Sequence, residues 1–241
     1  PKQVALDWQQ TRGALGQIDF LGIQWQTYPS AVTGQQQVRW TGKPIALEIP
    51  YRTFTQPAVS VSRPKAYWIP PAWEDVIERL AVHGIFMDRM QQPREVEVEL
   101  VRFSEFELAD EPYEGHIRVT ATGSVERRRE IFPAGSVRIP TDQPLGDLAV
   151  LLLEHQSPDS FFQWGFFLEI FQRTEYVEEY VMIPLAQRMI DNTPDLRSRF
   201  RARLKDDPAF AADPQARLRW FYEMTPYFDS EYRLYPVGRE R

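Results

Sequence analysis

Up to Thr141 the chain is written mostly in alternation. Between Gln17 and Tyr28, Ile18, Phe20, Ile23 and Trp25 roughly alternate with polar residues, as on a half-buried strand. A polar turn at Thr33-Gly34 leads into Gln37 to Trp40, and Thr41-Gly42-Lys43-Pro44 turns into Ile45 to Pro50, so the stretch reads as a small antiparallel meander. Residues 1–16, polar apart from Trp8 and a few small apolar residues and holding Gly13 and Gly16, read as a connecting segment before it. Ala58 to Ser62 is another strand. Ala66 to Ile69 follows, stopped by Pro70-Pro71, and Trp73, Val76, Ile77 and Leu80 then fall at helical spacing up to His83-Gly84, where glycine suits a left-handed helix end. Ile85 to Met90 is a short strand, so strand, helix and strand make a βαβ-like unit that places Ala66 to Ile69 and Ile85 to Met90 parallel.

Arg94 to Phe103 alternates strictly, with Glu95, Glu97 and Glu99 on one face and Val96, Val98 and Leu100 on the other. From Arg94 to Glu111 there are seven acids and two arginines, a local charge of −5 that is either a solvated sheet face or a surface for a cation or basic partner. His116 to Val125 and Gly135 to Ile139 complete the β-rich half.

Beyond Thr141 the spacing turns helical. Asp147 to Glu154 is apolar enough to be a buried helix, and Ser157 or Asp159 can cap a second in which Phe162, Phe166, Phe167 and Ile170 share a face. Glu175 to Ile190 continues as a helix that Pro184 kinks or restarts. Pro194 to Lys205 and Pro214 to Glu223 are two more, and the aromatic tail from Phe221 to Tyr235 packs back on the body with little helix, given Pro226 and Pro236. The fold class is therefore α+β: a mostly antiparallel β-rich half with one βαβ-like unit, then a helical half. No polar linker marks the change near residue 141, so residues 17–241 read as one domain with a possible sub-boundary there.

Charge and composition narrow the function classes. A net charge of −6 disfavours nucleic acid and anionic membrane as partners. No apolar run approaches the roughly 20 residues of a membrane span. The absence of cysteine excludes disulfides, thiolate metal sites and a cysteine nucleophile. The chain begins at Pro1 rather than methionine, which suggests an excised piece or a processed product.

Motifs of chemistry are sparse. His83, His116 and His155 open neither HxxE nor HExxH, and Gly135-Ser136 lacks the second glycine of a nucleophile elbow. The best carboxylate group is Glu175, Glu178 and Glu179, which at helical spacing share a face beside Arg173, Tyr176 and Tyr180. It is either a salt-linked surface or a cluster that supports a ligand. Asp159 and Trp164, among phenylalanines, are either core or an aromatic platform for sugar or peptide.

Three long stretches, RPKAYWIPPAWEDVIERLAVHGI (63–85), PAGSVRIPTDQPLGDLAVLLLEHQSPDSFFQWGFFLEIF (133–171) and TEYVEEYVMIPLAQRM (174–189), resemble the carboxy-terminal part of bacterial zinc carboxypeptidase-like proteins of the carboxypeptidase A-like metallopeptidases. The resemblance runs from about Phe20 to the closing YRLYPV (232–237). In that family the zinc, its HxxE pair and later histidine, the glutamate base and the carboxylate-binding arginine belong to an earlier catalytic domain, and none of those motifs stands here. The resemblance thus implies a non-catalytic accessory region. Its partner is the peptidase domain of the same polypeptide, its location secreted or periplasmic, and the zinc lies in that other domain with no cofactor in this chain. The alternative is a stand-alone module that binds cell-wall peptide or glycan. Asp159, Trp164, Arg173, Glu175, Tyr176, Glu178, Glu179 and Tyr180 are the residues expected to meet a ligand or the other domain.

Overall fold

The computed structural model describes residues 2–172 and 178–241. Its body is a six-stranded, fully antiparallel sheet in the order β6-β9-β5-β10-β7-β8, made by β5 (Ala66–Ile69), β6 (Asp88–Arg89), β7 (Arg94–Leu108), β8 (Val119–Phe132), β9 (Val137–Pro140) and β10 (Leu234–Glu240). The mixed fold and its order, strands first and helices later, agree with the α+β expectation. The βαβ-like unit is present in modified form. β5 and β6 both pair antiparallel with β9, so they run parallel to each other with β9 inserted between them.

Helix α1 (Glu74–Val82) connects the two. Val76, Ile77 and Leu80 bury one face, Glu74 and Asp75 sit in the favourable first turn, and Gly84 at φ 79° ends it with the Ile85 amide bonded back to the Leu80 carbonyl. Helix α2 (Gly146–Leu153), apolar except for Asp147 in its first turn, is buried through Ala149, Val150 and Leu153. Both helices pack with residues 158–171 on one face of the sheet, in a core that includes Tyr67, Ile69, Val101, Phe103, Val137, Ile139, Phe162, Phe167 and Tyr235. The opposite face carries a smaller cluster of Trp68, Val98, Leu100, Phe132 and Leu234.

The segment after Pro158 is not the helix its aromatic spacing predicts. It is a series of turns ended by a single 3-10 turn at Leu168–Phe171, although Phe161, Phe162 and Phe167 are buried as a core would have them. Gly165 explains the break: its φ is 79°, and a Cβ there would lie 2.3 Å from the Ile117 carbonyl oxygen.

The last strand is the largest departure. The tail does return to the body, but as β10, a central strand between β5 and β7. Pro236 is accommodated because the β10–β7 register shifts between Tyr235 and Arg239, so the missing amide falls in an irregularity of the ladder. At Gly238 an added Cβ would lie 3.0 Å from the Phe132 ring and 3.2 Å from Val98. β10 also brings Arg239 to the buried Glu154 at the end of α2. Glu154 accepts from Tyr67 Oη at 2.7 Å and from the Arg239 guanidinium, while Tyr235 Oη donates to the Leu153 carbonyl at 2.8 Å. Burial, then the Glu154 charge, pushes the Tyr67 phenol well above its ordinary pKa.

Helices α3 (Glu179–Asn192), α4 (Pro194–Asp206), α5 (Pro208–Ala212) and α6 (Pro214–Tyr222) form a separate core of Met182, Ala186, Leu196, Phe210, Trp220 and Phe221. Asp207 and Asp213 cap α5 and α6, each followed by a proline in the first turn. α3 runs through Pro184 without restarting. The change of core therefore falls after Phe171, since α2 belongs with the sheet and not with the later helices.

The amino-terminal part departs from the meander. β1 (Gln3–Gln9) pairs with β4 (Gln56–Ser62), and Val4 and Leu6 enter the sheet core, so residues 1–16 hold a strand where a connecting segment was expected. Beyond that ladder, among the described residues, β2 (Gly16–Pro29) and β3 (Gln36–Tyr51) pair only with each other, as one long hairpin. Thr41-Gly42-Lys43 is a bulge inside β3 rather than a turn, with Gly42 at φ 78°.

Candidate functional site

The acidic face read from the sequence is answered within the sheet. The register sets Glu97 opposite Arg129 and Glu99 opposite Arg127. Arg127 bonds Glu99 at 2.8 Å, Arg241 bonds the same carboxylate at 2.7 Å, and Arg129 lies 3.8 Å from Glu95. Burial alone would raise the pKa of Glu99, but Arg241 and Arg127 hold it below its ordinary value. Arg127 and Arg129 of β8 thus face the acids of β7, while Arg128, opposite Val98 on the other face, pairs with Glu130 and Glu231; an internally paired face is what the structure supports.

Of the residues singled out earlier, Asp159 and Trp164 come together. The loop before β8 brings Arg118 to them: its guanidinium lies 4.4 Å from the Trp164 ring centre and 4.0 Å from the Asp159 carboxylate, and it donates to the Pro158 carbonyl. Glu114 and Gly115, both at positive φ, form a tight turn closed by paired bonds between Tyr113 and His116. That turn sets Tyr113 and His116 each 5.9 Å from Trp164, centre to centre. His116 also lies 4.9 Å from Phe166, over which Arg79 of α1 is stacked at 4.5 Å. The outcome is a band of rings with two guanidinium groups laid on it. Its faces can stack on a planar or sugar ring, and Arg118 and Arg79 can donate to a carboxylate. Tyr113, His116, Arg118 and Arg79 carried no local signal, because they precede Trp164 by dozens of residues and only the fold assembles them.

The acidic group of residues 175–179 is arranged otherwise than the sequence predicts. α3 begins at Glu179 and Glu178 is its extended N-cap residue, so the two are not on one helical face; Arg173, Glu175 and Tyr176 lie outside the described residues. The Glu179 carboxylate accepts from Gln215 Nε2 of α6, and Tyr180 is exposed. Among the described residues no hydrogen bond, ion pair or ring contact joins Glu178, Glu179 or Tyr180 to Asp159 or Trp164.

The histidines are dispersed. His83 Nδ1 is 2.7 Å from the Arg79 carbonyl at the end of α1, as its position at a helix end predicts. His116 lies in the ring band. His155 is buried among Phe103, Phe162 and Tyr235, and burial, helped by the Arg239 charge, lowers its pKa to about 4. Among the described residues no group of three or more His, Asp or Glu is gathered as a metal site requires. A cleft of about 580 Å³ opens on the other face of the sheet beside Trp68, Met90, Arg94 and Glu95. Its charges are partly internal: Glu240 accepts from Trp68 Nε1 at 2.8 Å and from Arg138 Nε at 2.9 Å.

Three fungal proteins illustrate what the chain is similar to. Carboxypeptidase 2 of Trichophyton tonsurans is 36% identical over 114 residues, 46% of this chain and 21% of that protein. Carboxypeptidase 2 of Trichophyton rubrum is 34% identical over 113 residues, 47% and 21% of the two chains, and probable carboxypeptidase 2 of Arthroderma benhamiae is 35% identical over 108 residues, 44% and 20%. The chain therefore spans about a fifth of the length of the curated relatives it matches. No protein-family model matches it, and no solved structure does.

Proposed function

We propose that this chain is a non-catalytic accessory region of a zinc carboxypeptidase-like polypeptide, one that supports the peptidase domain or shapes access of substrate to it. The observation that carries the reading is the similarity to named carboxypeptidases over only a fifth of their length. The placement of the histidines supports it: they lie in separate surroundings, one on a helix end, one among rings and one in the core. Zinc and the catalytic groups would then reside in the peptidase portion, and no step of hydrolysis is assigned to residues of this chain.

The test is direct. The purified chain, dialysed against a chelator and resupplied with zinc, is expected to release no carboxy-terminal residues from peptides. The polypeptide that carries it is expected to do so, with kcat/KM reduced when this region is removed. Zinc-dependent peptide hydrolysis by the chain alone would overturn the reading.

The ring band favours a second reading, a module that binds cell-wall peptide or glycan through Trp164, Tyr113 and Arg118. Titrating soluble peptidoglycan fragments against tryptophan fluorescence, in the wild type and in Trp164→Phe, tests it. A response that Trp164→Phe leaves unchanged counts against it.

A further inference from the structure

The β2–β3 hairpin belongs to none of the three buried clusters and is joined to the β1–β4 ladder by backbone bonds such as Thr11 to Thr53 and Leu15 to Tyr51. At 14 residues for β2 it extends about 45 Å. A lone two-stranded ribbon is marginal in water, and this one is rich in apolar side chains that face solvent: Leu21 is 82% exposed, Trp40 65% and Phe20 50%. Its charges number two acids, Asp19 and Glu48, and two bases, Arg39 and Lys43, so it is neutral in a chain of net charge −6. Asp19 stands directly opposite Glu48, a like-charged pair that disfavours the free hairpin. Such an arm is built to be covered.

The pairing register identifies what can cover it. Near the base, Ile18, Phe20, Ile45, Leu47 and Ile49 share one face. The other face carries Leu21 and Ile23 before the bulge and Trp25, Val38 and Trp40 past it, with Trp25 and Trp40 edge to face at 6.4 Å. A second copy of this chain is a poor occupant. Two-fold stacking lays like face on like face, so a second copy can cover the Phe20 face or the Trp25–Trp40 face but not both. A surface free of that symmetry can cover both. The four-fifths of the curated relatives that this chain does not span is the source of such a surface, and a partner on the same polypeptide acts at an effective concentration of about millimolar, which a second copy does not match.

We infer that the β2–β3 arm is the element by which this region clasps the peptidase portion of its own polypeptide, seated in an apolar groove there. The inference rests on the proposed accessory role and names the face through which that role is exercised.

The experiment uses the whole polypeptide that carries this chain, with a protease site inserted between the two portions. After cleavage the portions are expected to co-elute, and amides of residues 16–51 to exchange about tenfold or more slowly than in the 241-residue chain by itself. Phe20→Ser with Leu47→Ser, and separately Trp25→Ser with Trp40→Ser, are expected to abolish co-elution. The melting of the sheet should not change, because the arm contributes nothing to its core. Co-elution that survives both pairs of substitutions overturns the inference while leaving the accessory role intact, and so does a dimer of the isolated chain that either pair makes monomeric. A carrier polypeptide without a peptidase portion defeats the accessory role instead.

Discussion

Replacing Glu154 by glutamine tests how the carboxy-terminal strand is fixed to the rest of the sheet. The carboxylate is fully buried and accepts from Tyr67 Oη and from the Arg239 guanidinium, which is itself nearly buried. Glutamine keeps an acceptor for Tyr67 but leaves the guanidinium without its counter-charge. Removing one partner of a buried pair costs about 3–5 kcal/mol, most of it the unbalanced charge left behind. With a urea m value of about 3 kcal/mol/M, the midpoint of the sheet's unfolding should fall by about 1–1.7 M. Tyr67→Phe, which loses one hydrogen bond to a charged group, should cost about 1.5–3 kcal/mol. Glu154→Leu combined with Arg239→Met should be more stable than Glu154→Gln alone, because no charge is then stranded. The assay is urea unfolding followed by far-ultraviolet circular dichroism and tryptophan fluorescence. A midpoint shift under about 0.3 M for Glu154→Gln, or a double variant as unstable as its singles summed, would refute the reasoning.

Three further expectations concern the same sheet. His155 has a folded pKa of about 4 against an ordinary value of 6.5, so between these values the unfolded chain binds more protons. Its contribution is intact above about pH 6.5 and lost as pH falls toward 4, by about 3 kcal/mol in all. His155→Phe should flatten unfolding free energy against pH across that window. Gly238→Ala should lower stability by about 1–3 kcal/mol in thermal melts, because the new methyl meets Phe132 and Val98 at 3.0–3.2 Å. Deleting Leu234–Glu240 leaves β5 and β7 without a shared neighbour; loss of the near-ultraviolet dichroism of the body is expected, and a retained signal would contradict the sheet order.

What the sequence made legible depended on how local the signal was. Ala66 to Ile69, the helix ending at His83-Gly84, and the alternation from Arg94 to Phe103 each follow from neighbours in the chain, and the fold has them as β5, α1 and β7. β10 was hidden by Pro236 and by a run of aromatics that resembles a packed tail; only the ladder irregularity at Tyr235 to Arg239 makes a central proline tolerable. Helical spacing of phenylalanines after Pro158 was real burial in a different backbone, diverted by one left-handed glycine. For the acidic stripe the missing information was register: Glu99 meets Arg127 and Arg241, and nothing local announces either pairing. The ring band was half legible, with Asp159 and Trp164 readable and Tyr113, His116 and Arg118 supplied by topology.

The position of β10 also has a meaning in time. β5 and β7 are complete once Leu108 has been made, yet the strand that joins them starts at Leu234, after four helices with a core of their own. At the usual pace of synthesis that interval is roughly ten seconds, during which the sheet stands split with two unpaired interior edges open to any other strand. The helices can fold within that interval because their contacts are local, whereas the sheet must wait. A nascent chain of this protein is therefore vulnerable to mispairing until Leu234–Glu240 have left the ribosome, and a chaperone that shields strand edges would act in that period.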